Sequence, residues 1–371
     1  MNDLNTKNKF TPMPSMRLYA LIVMSAMLGL SLSASELYRT DFIPLQVILF
    51  VLCILSLLFS VYAFGKGNFR GITEGFDRCF SHIGSRIILA AAALYFIAQA
   101  SLAVFTQKEM IKLYLLTKTP DDIIITALAL TSAFLFYTGL RQLAGTAQLL
   151  LFIIAPLVLL LLSFALYRSD PDEIRILLQI TPPEDIRSSL SATCALWGIE
   201  SVVFFLGTGR YAKTVRPAVI WGFATVFILF LVSFLVTVGT FSLEGSAGIL
   251  FPLSEMSRIL NVGGLAVTER FDVLFLFIQI IGTVIRTAIA MYCASVGLSS
   301  FFGLRSHRCF TVLIAPAVVL LACACTVGSV EDIVKLICSG GFCIIMFAVI
   351  PLFAAATFII SRRKGAKNNY A

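Results

Sequence analysis

The feature that most constrains this chain is a series of ten apolar blocks, most of them roughly 18–30 residues long, the length that crosses a hydrocarbon core about 30 Å thick. They are Arg17–Ala34, Phe42–Phe64, Arg86–Phe105, Ile123–Gly139, Ala147–Tyr167, Ser188–Leu206, Pro217–Phe241, Phe271–Phe301, Phe310–Val327 and Val334–Ile360. In lipid the backbone has no water to bond to and must satisfy its own N–H and C=O groups. Blocks of this length therefore read as helices. A membrane barrel would alternate with period two, and these runs do not. The blocks predict an all-α, polytopic membrane protein of about ten transmembrane helices.

Composition agrees. Only 13% of the residues are charged and 59% are hydrophobic, whereas a soluble domain carries about 25% charge. The formal charge of +8 is explained by where the cations sit. With the N-terminus placed inside, 17 of the 28 Lys and Arg residues fall on the cytoplasmic side, 10 outside and one within a span. Of the 20 acidic residues, 16 fall outside, three inside and one within a span. This positive-inside bias predicts an even number of spans and both termini in the cytoplasm. It also replaces nucleic acid with membrane lipid as the partner implied by the basic charge.

Residues 1–15 read as a cytoplasmic tail with no removable signal peptide, 16–361 as one transmembrane domain, and 362–371 as a basic cytoplasmic tail. The longer outer stretches, Arg168–Arg187 and Glu244–Arg270, are punctuated by proline and glycine. The fourth span is short and interrupted by Thr131 and Ser132. The nine cysteines lie in spans or in inner loops, as small hydrophobes do, and not as a disulfide frame.

The charge census leaves two ionisable residues inside the bilayer, Glu200 in the sixth span and Arg286 in the eighth. A charge at mid-membrane costs about 2.5–3.5 kcal/mol on insertion scales and points to a functional site by default. Opposite sign makes these two candidates for one polar centre. On the eighth span Asp272, Gln279 and Arg286 recur every seven residues, with Gly282 and Thr283 between the last two. Helical periodicity puts them on one face, which should line the interior; Thr287 lies beside it. On the sixth span Trp197, Glu200 and Ser201 fall on one side, with Gly198 a weak point. The first span carries a similar irregular stretch from Ser25 to Ser33, including Gly29 and Ser31. If ten spans divide into two sets of five, the first and sixth correspond, and inverted-repeat transporters often break both near the midplane. Free N–H groups at such a break attract a carboxylate, while an acid or carbonyls hold an ammonium group. Serine and glycine there also fit simple close packing.

Other chemistry is thin. His82 and His307 lack metal-binding partners. Cys323 and Cys325 point about 200° apart on a helix and make a poor metal pair. No nucleophile elbow, zinc-protease or phosphate-loop motif occurs, so neither an enzyme nor a metal or other cofactor is expected.

From about Met16 to Arg363 the chain resembles the spore-germination permease family, the B-type subunits of nutrient germinant receptors. The resemblance is carried by FPLSEMSRIL at Phe251–Leu260 and ERFDVLFLFIQIIGTVIRTAIAMYCASVGLSSFFGL at Glu269–Leu304. YTGLRQLAGTAQLLLFIIAPLVLLLL at Tyr137–Leu162 and WGIESVVFFLG at Trp197–Gly207 add to it, and Glu200 matches a commonly acidic position. The chain departs from the family in its first span, where Gly29 stands alone in place of a Gly-x-Gly. It departs again at Arg286, where lysine is common.

The resemblance implies a fold like the amino acid–polyamine–organocation transporters, with two inverted sets of five helices, in the inner membrane of a bacterial spore. It implies partnership with an A-type subunit and a lipoprotein C-type subunit, and detection of a small nutrient germinant, commonly an amino acid. The expected site residues are Gly29, Ser31, Trp197, Gly198, Glu200, Ser201, Gln279, Thr283, Arg286 and Thr287. Coupled amino acid transport is the alternative role.

Overall fold

Backbone that must bond to itself forms helix wherever the chain is apolar, and in the computed structural model every regular element among the described residues is a helix or a helical turn. The structure describes residues 14–32, 43–67, 76–77, 82–176, 198–205, 212–242, 245–246, 249, 251–259, 271–304, 308–326, 352 and 355–356. The membrane helices are α1 (Ser15–Leu32), α2 (Ile43–Gly67), α3 (His82–Tyr114), α4 (Asp121–Tyr137) and α5 (Leu140–Arg168). After a 3-10 turn at Ile199–Ser201 come α6 (Val202–Phe205), α7 (Ala212–Phe241), α8 (Phe271–Phe302) and α9 (Thr311–Cys325). Two short helices, Pro171–Ile176 and Pro252–Ile259, lie in the two longer stretches between spans. All but three residues of the expected tenth span, residues 1–13, the basic tail 362–371, Trp197, Cys79, Cys194, Cys338, Cys343 and His307 lie outside the described residues.

Four helical segments are long and apolar enough to cross a membrane: Ile83–Tyr114, Leu140–Arg168, Val215–Phe241 and Asp272–Phe302. Ser15–Ala26, Ile48–Ala63 and Thr311–Cys325 are shorter apolar pieces. Their outward faces carry large exposed apolar side chains such as Leu94, Leu160, Ile228 and Leu320, as expected of surfaces in lipid.

Two expectations change. The fourth span is not interrupted at Thr131 and Ser132, because each hydroxyl bonds back to the carbonyl four residues earlier, on Ala127 and Leu128. Such back-bonding lets a hydroxyl sit in a lipid-embedded helix without an unsatisfied group. For the same reason the first span does not break at Ser25: its Oγ donates to Ile22 O at 2.8 Å. Helix α1 continues through Gly29 and Ser31, which sit near its C-terminal end.

Helices α3 and α8 pack together most extensively, and α4 and α9 each touch both of them, so these four form one scaffold. Helix α1 packs on α7, on α8 and on the 3-10 turn, while α2 touches α6 and α7. Close approach needs small residues at two crossings. A Cβ on Gly297 of α8 would stand 2.5 Å from the Leu89 carbonyl oxygen of α3. One on Gly222 of α7 would stand 2.9 Å from Ile22 of α1.

Candidate functional site

Gly198 sets the geometry of the centre. Its φ of 113° and ψ of −24° lie where a side chain is disfavoured, and no α-helix can continue through it. The chain instead makes the 3-10 turn Ile199–Ser201 before α6 begins. The backbone is therefore non-helical at the predicted weak point of the sixth span. Ser201 steadies it, its Oγ donating to Gly198 O at 2.7 Å.

Helix α1 lies directly against this turn. A Cβ on Gly198 would come within 2.3 Å of Ser25 O on α1 and 3.3 Å of Arg286 Nε on α8. The first, sixth and eighth spans therefore meet at one point, with Gly198, Glu200, Ser201 and Arg286 gathered there. Glu200 is 2% exposed and Arg286 1%. Thr283 and Thr287 are fully buried, and Gln279 nearly so. The side chains of Gly29 and Ser31 are not among those described, and Trp197 lies outside the described residues.

Glu200 and Arg286 share the centre, yet among the described residues no ion pair joins them. The Glu200 carboxylate is held by neutral donors. Its Oε1 accepts from Tyr95 Oη at 2.9 Å and Gln99 Nε2 at 2.6 Å, and its Oε2 accepts from the Gly198 N–H at 2.8 Å. Hydrogen bonds to an ionised group contribute more than those between neutral partners. Two of them pin the turn to α3, and the third, from the Gly198 N–H, closes the turn on itself. Ring contacts reinforce the attachment: Phe204 lies edge-on to Phe96 of α3 at 5.0 Å, and Phe205 faces Tyr292 of α8 at 6.3 Å.

Helix α3 supplies the residues that the sequence reading missed. Its drawn span ended at Phe105, whereas the helix runs on to Tyr114 and carries Gln107 and Lys108 into the interior. Thr283 Oγ1 donates to Gln107 Oε1 at 2.7 Å and lies 2.9 Å from Gln279 O. Lys108 is 1% exposed, bonds Asp121 at 3.0 Å and Glu109, and lies over the Phe105 ring. It is an interior cation, not the loop charge that the topology count assumed. At the C-terminal end of α3, Tyr114 Oη donates to Glu255 Oε1 at 2.8 Å, tying α3 to the short helix Pro252–Ile259. The polar positions Tyr95, Gln99 and Gln107 fall four and eight residues apart. That helical spacing was the available signal.

Among the described residues no group of three His, Cys, Asp or Glu side chains could hold a metal ion. Cys53 and Cys293 are buried, the latter as a free thiol, and Cys323 and Cys325 are partly exposed.

The arrangement resembles solved transporters. MhsT, in complex with L-phenylalanine, superposes with a TM-score of 0.67 at 8% identity, covering 93% of this chain and 98% of that one. Mhp1, a nucleobase-cation-symport-1 family transporter in a closed conformation with bromovinylhydantoin bound, gives 0.63 at 12%, covering 94% and 90%. A Na+-coupled sialic acid symporter gives 0.62 at 12%, covering 94% and 88%. Likeness at such identities is one of fold, and the fold is that of a polytopic helical transporter. In sequence the chain is similar to spore germination protein YndE of Bacillus subtilis (strain 168), 24% identical over 235 residues, 62% of each chain. It is also similar to spore germination protein A2 of the same organism, 23% identical over 245 residues, 66% of each chain. The matched region thus spans just under two thirds of the length of these relatives. The sequence pattern of the spore permease family, described as spore germination protein, matches residues 43–329. This integral membrane protein therefore belongs to the spore germination protein family.

Proposed function

We propose that this protein is the permease-like B-type subunit of a nutrient receptor in the spore inner membrane, with both termini cytoplasmic. A small nutrient, an amino acid in the first instance, binds among α1, the turn before α6, and α8, and its binding triggers germination. The observation that carries this reading is the meeting of Ser25, Gly198 and Arg286 at the turn before α6, in a chain of a spore germination family. A ligand there touches both the α3–α8 scaffold and the α1–α6 side. It biases whichever arrangement of the two it fits better, and A-type and lipoprotein C-type subunits receive that bias. The role is one of binding, with no catalysis, cofactor or metal.

Spores carrying Arg286→Ala test the reading. The complex is expected to assemble while the nutrient response is lost; a normal response would refute the site. The likeness to transporters favours a second reading, proton- or sodium-coupled amino acid uptake. Accumulation of labelled amino acid by vesicles containing this protein alone would decide for transport.

A further inference from the structure

We infer that Gln107 is a specificity-determining residue of this site and that the site recognises its ligand by a carboxylate, with the amine secondary. The inference rests on the nutrient-binding reading above and says which end of the nutrient the protein holds.

Gln107 is fully buried on α3. Thr283 Oγ1, 2.7 Å from its Oε1, occupies the oxygen end of the amide. The other end, Nε2, has no hydrogen-bond partner among the described residues. A buried amide N–H left unmet is costly, and in folded proteins such groups are met by a partner, by ordered water or by a ligand. What is left over here is a donor, so the complementary group is an acceptor. Arg286 follows Thr283 by three residues on α8, which puts the two on neighbouring turns of one helix face. An amide donor and a guanidinium on one stretch of the α3–α8 seam favour an acceptor that is also an anion, and among small nutrients that is a carboxylate.

The opposite end of an amino acid finds less. Glu200 is the carboxylate described at the centre, and three of its roughly four lone-pair positions are taken by Tyr95, Gln99 and the Gly198 N–H. Those bonds close the turn and hold it to α3. A ligand ammonium gains one further hydrogen bond there at most, unless it displaces donors that fix the fold of the turn.

The test uses the full chain in lipid nanodiscs. Thermal melting is first measured against each of the twenty amino acids. The strongest binder is then compared with its 2-hydroxy acid, which keeps the carboxylate, and with its carboxamide, which keeps the amine. The hydroxy acid is expected to bind within about fivefold of the amino acid. The carboxamide is expected to bind about tenfold to a hundredfold more weakly, the range that one charge-assisted hydrogen bond spans. Gln107→Met should weaken the amino acid and the hydroxy acid alike, by about tenfold, without lowering the melting temperature of the free protein. Gln107→Glu should weaken both further, because two carboxylates then meet. A carboxamide that binds as well as the amino acid overturns the inference; in that case the amide presents its oxygen to an ammonium. Unchanged affinity in Gln107→Met overturns it as well, and marks the amide as hydrated. Those two results leave nutrient binding standing. Binding by no amino acid removes the nutrient-binding reading itself, and the inference with it.

Discussion

Replacing Gly198 with alanine adds one methyl group at the point where three helices meet. The new Cβ would stand 2.3 Å from Ser25 O and 3.1 Å from Ser25 C, both backbone atoms of α1 that cannot rotate away. The residue also sits at φ 113°, where a side chain costs about 1–3 kcal/mol in backbone strain alone. Relief requires the turn to move off α1 by roughly the overlap, on the order of 1 Å against ordinary packing distances. That motion carries the Gly198 N–H away from Glu200 Oε2, now 2.8 Å distant, and a hydrogen bond to a charged group contributes about 1.5–3 kcal/mol. The two effects together predict a loss of about 2.5–6 kcal/mol. Thermal melting of the protein in nanodiscs, followed by intrinsic fluorescence, should fall by on the order of 5–10 °C, and nutrient response in spores should fall with it. Gly145→Ala is the control. Its Cβ meets only Arg17 Cζ, at 3.9 Å, inside α5, so melting should hold or rise slightly, since alanine suits a helix interior better. Should Gly198→Ala melt and respond as Gly145→Ala does, the argument that the turn is wedged against α1 is wrong.

Gly297→Val should separate α3 from α8, because its first added carbon already lies 2.5 Å from Leu89 O; expression and melting in nanodiscs would measure the loss, and wild-type melting would contradict the close crossing. Glu200→Gln keeps the shape but sets an amide N–H against either the Gly198 N–H or the Tyr95 and Gln99 donors, so about 1–3 kcal/mol should be lost; a neutral result would show that the turn does not depend on the carboxylate. Lys108→Met should be milder than Asp121→Ala, since Asp121 keeps Lys112 as a partner, whereas removing Asp121 leaves a buried ammonium short of charge. Comparing their melts checks the order, and the reverse order would mean that Lys108 is hydrated.

The polar residues that the sequence reading overlooked show where local pattern stops informing. Glu200 and Arg286 stood out because a charge in an apolar block is conspicuous by itself. Tyr95, Gln99 and Gln107 did not, because tyrosine and glutamine in a membrane helix acquire meaning only from what faces them. The partners lie far off in the chain: Tyr95 is 105 residues from Glu200, and Gln107 is 176 from Thr283. Lys108 was counted as a loop charge because the apolar block ends at Phe105, although the helix continues to Tyr114. Hydropathy marks the edge of a block, while ion pairs with Glu109 and Asp121 let the helix carry a cation past it. The serines of α1 misled in the other direction. They looked like a break and proved to be satisfied by their own helix at Ser25.

By itself the sequence determined that this chain is helical and embedded in a membrane, roughly where most of its helices run, and that an acid and a base lie within them. Those properties follow from backbone groups that lipid cannot solvate, a constraint acting residue by residue along the chain. Tertiary structure decided the rest. It set the turn at Gly198 against α1, drew Ser25, Gly198 and Arg286 to one point, and gave Glu200 three neutral donors in place of the opposite charge. Each of those outcomes depends on the contact between helices about a hundred or more residues apart, and no local periodicity encodes which faces will meet.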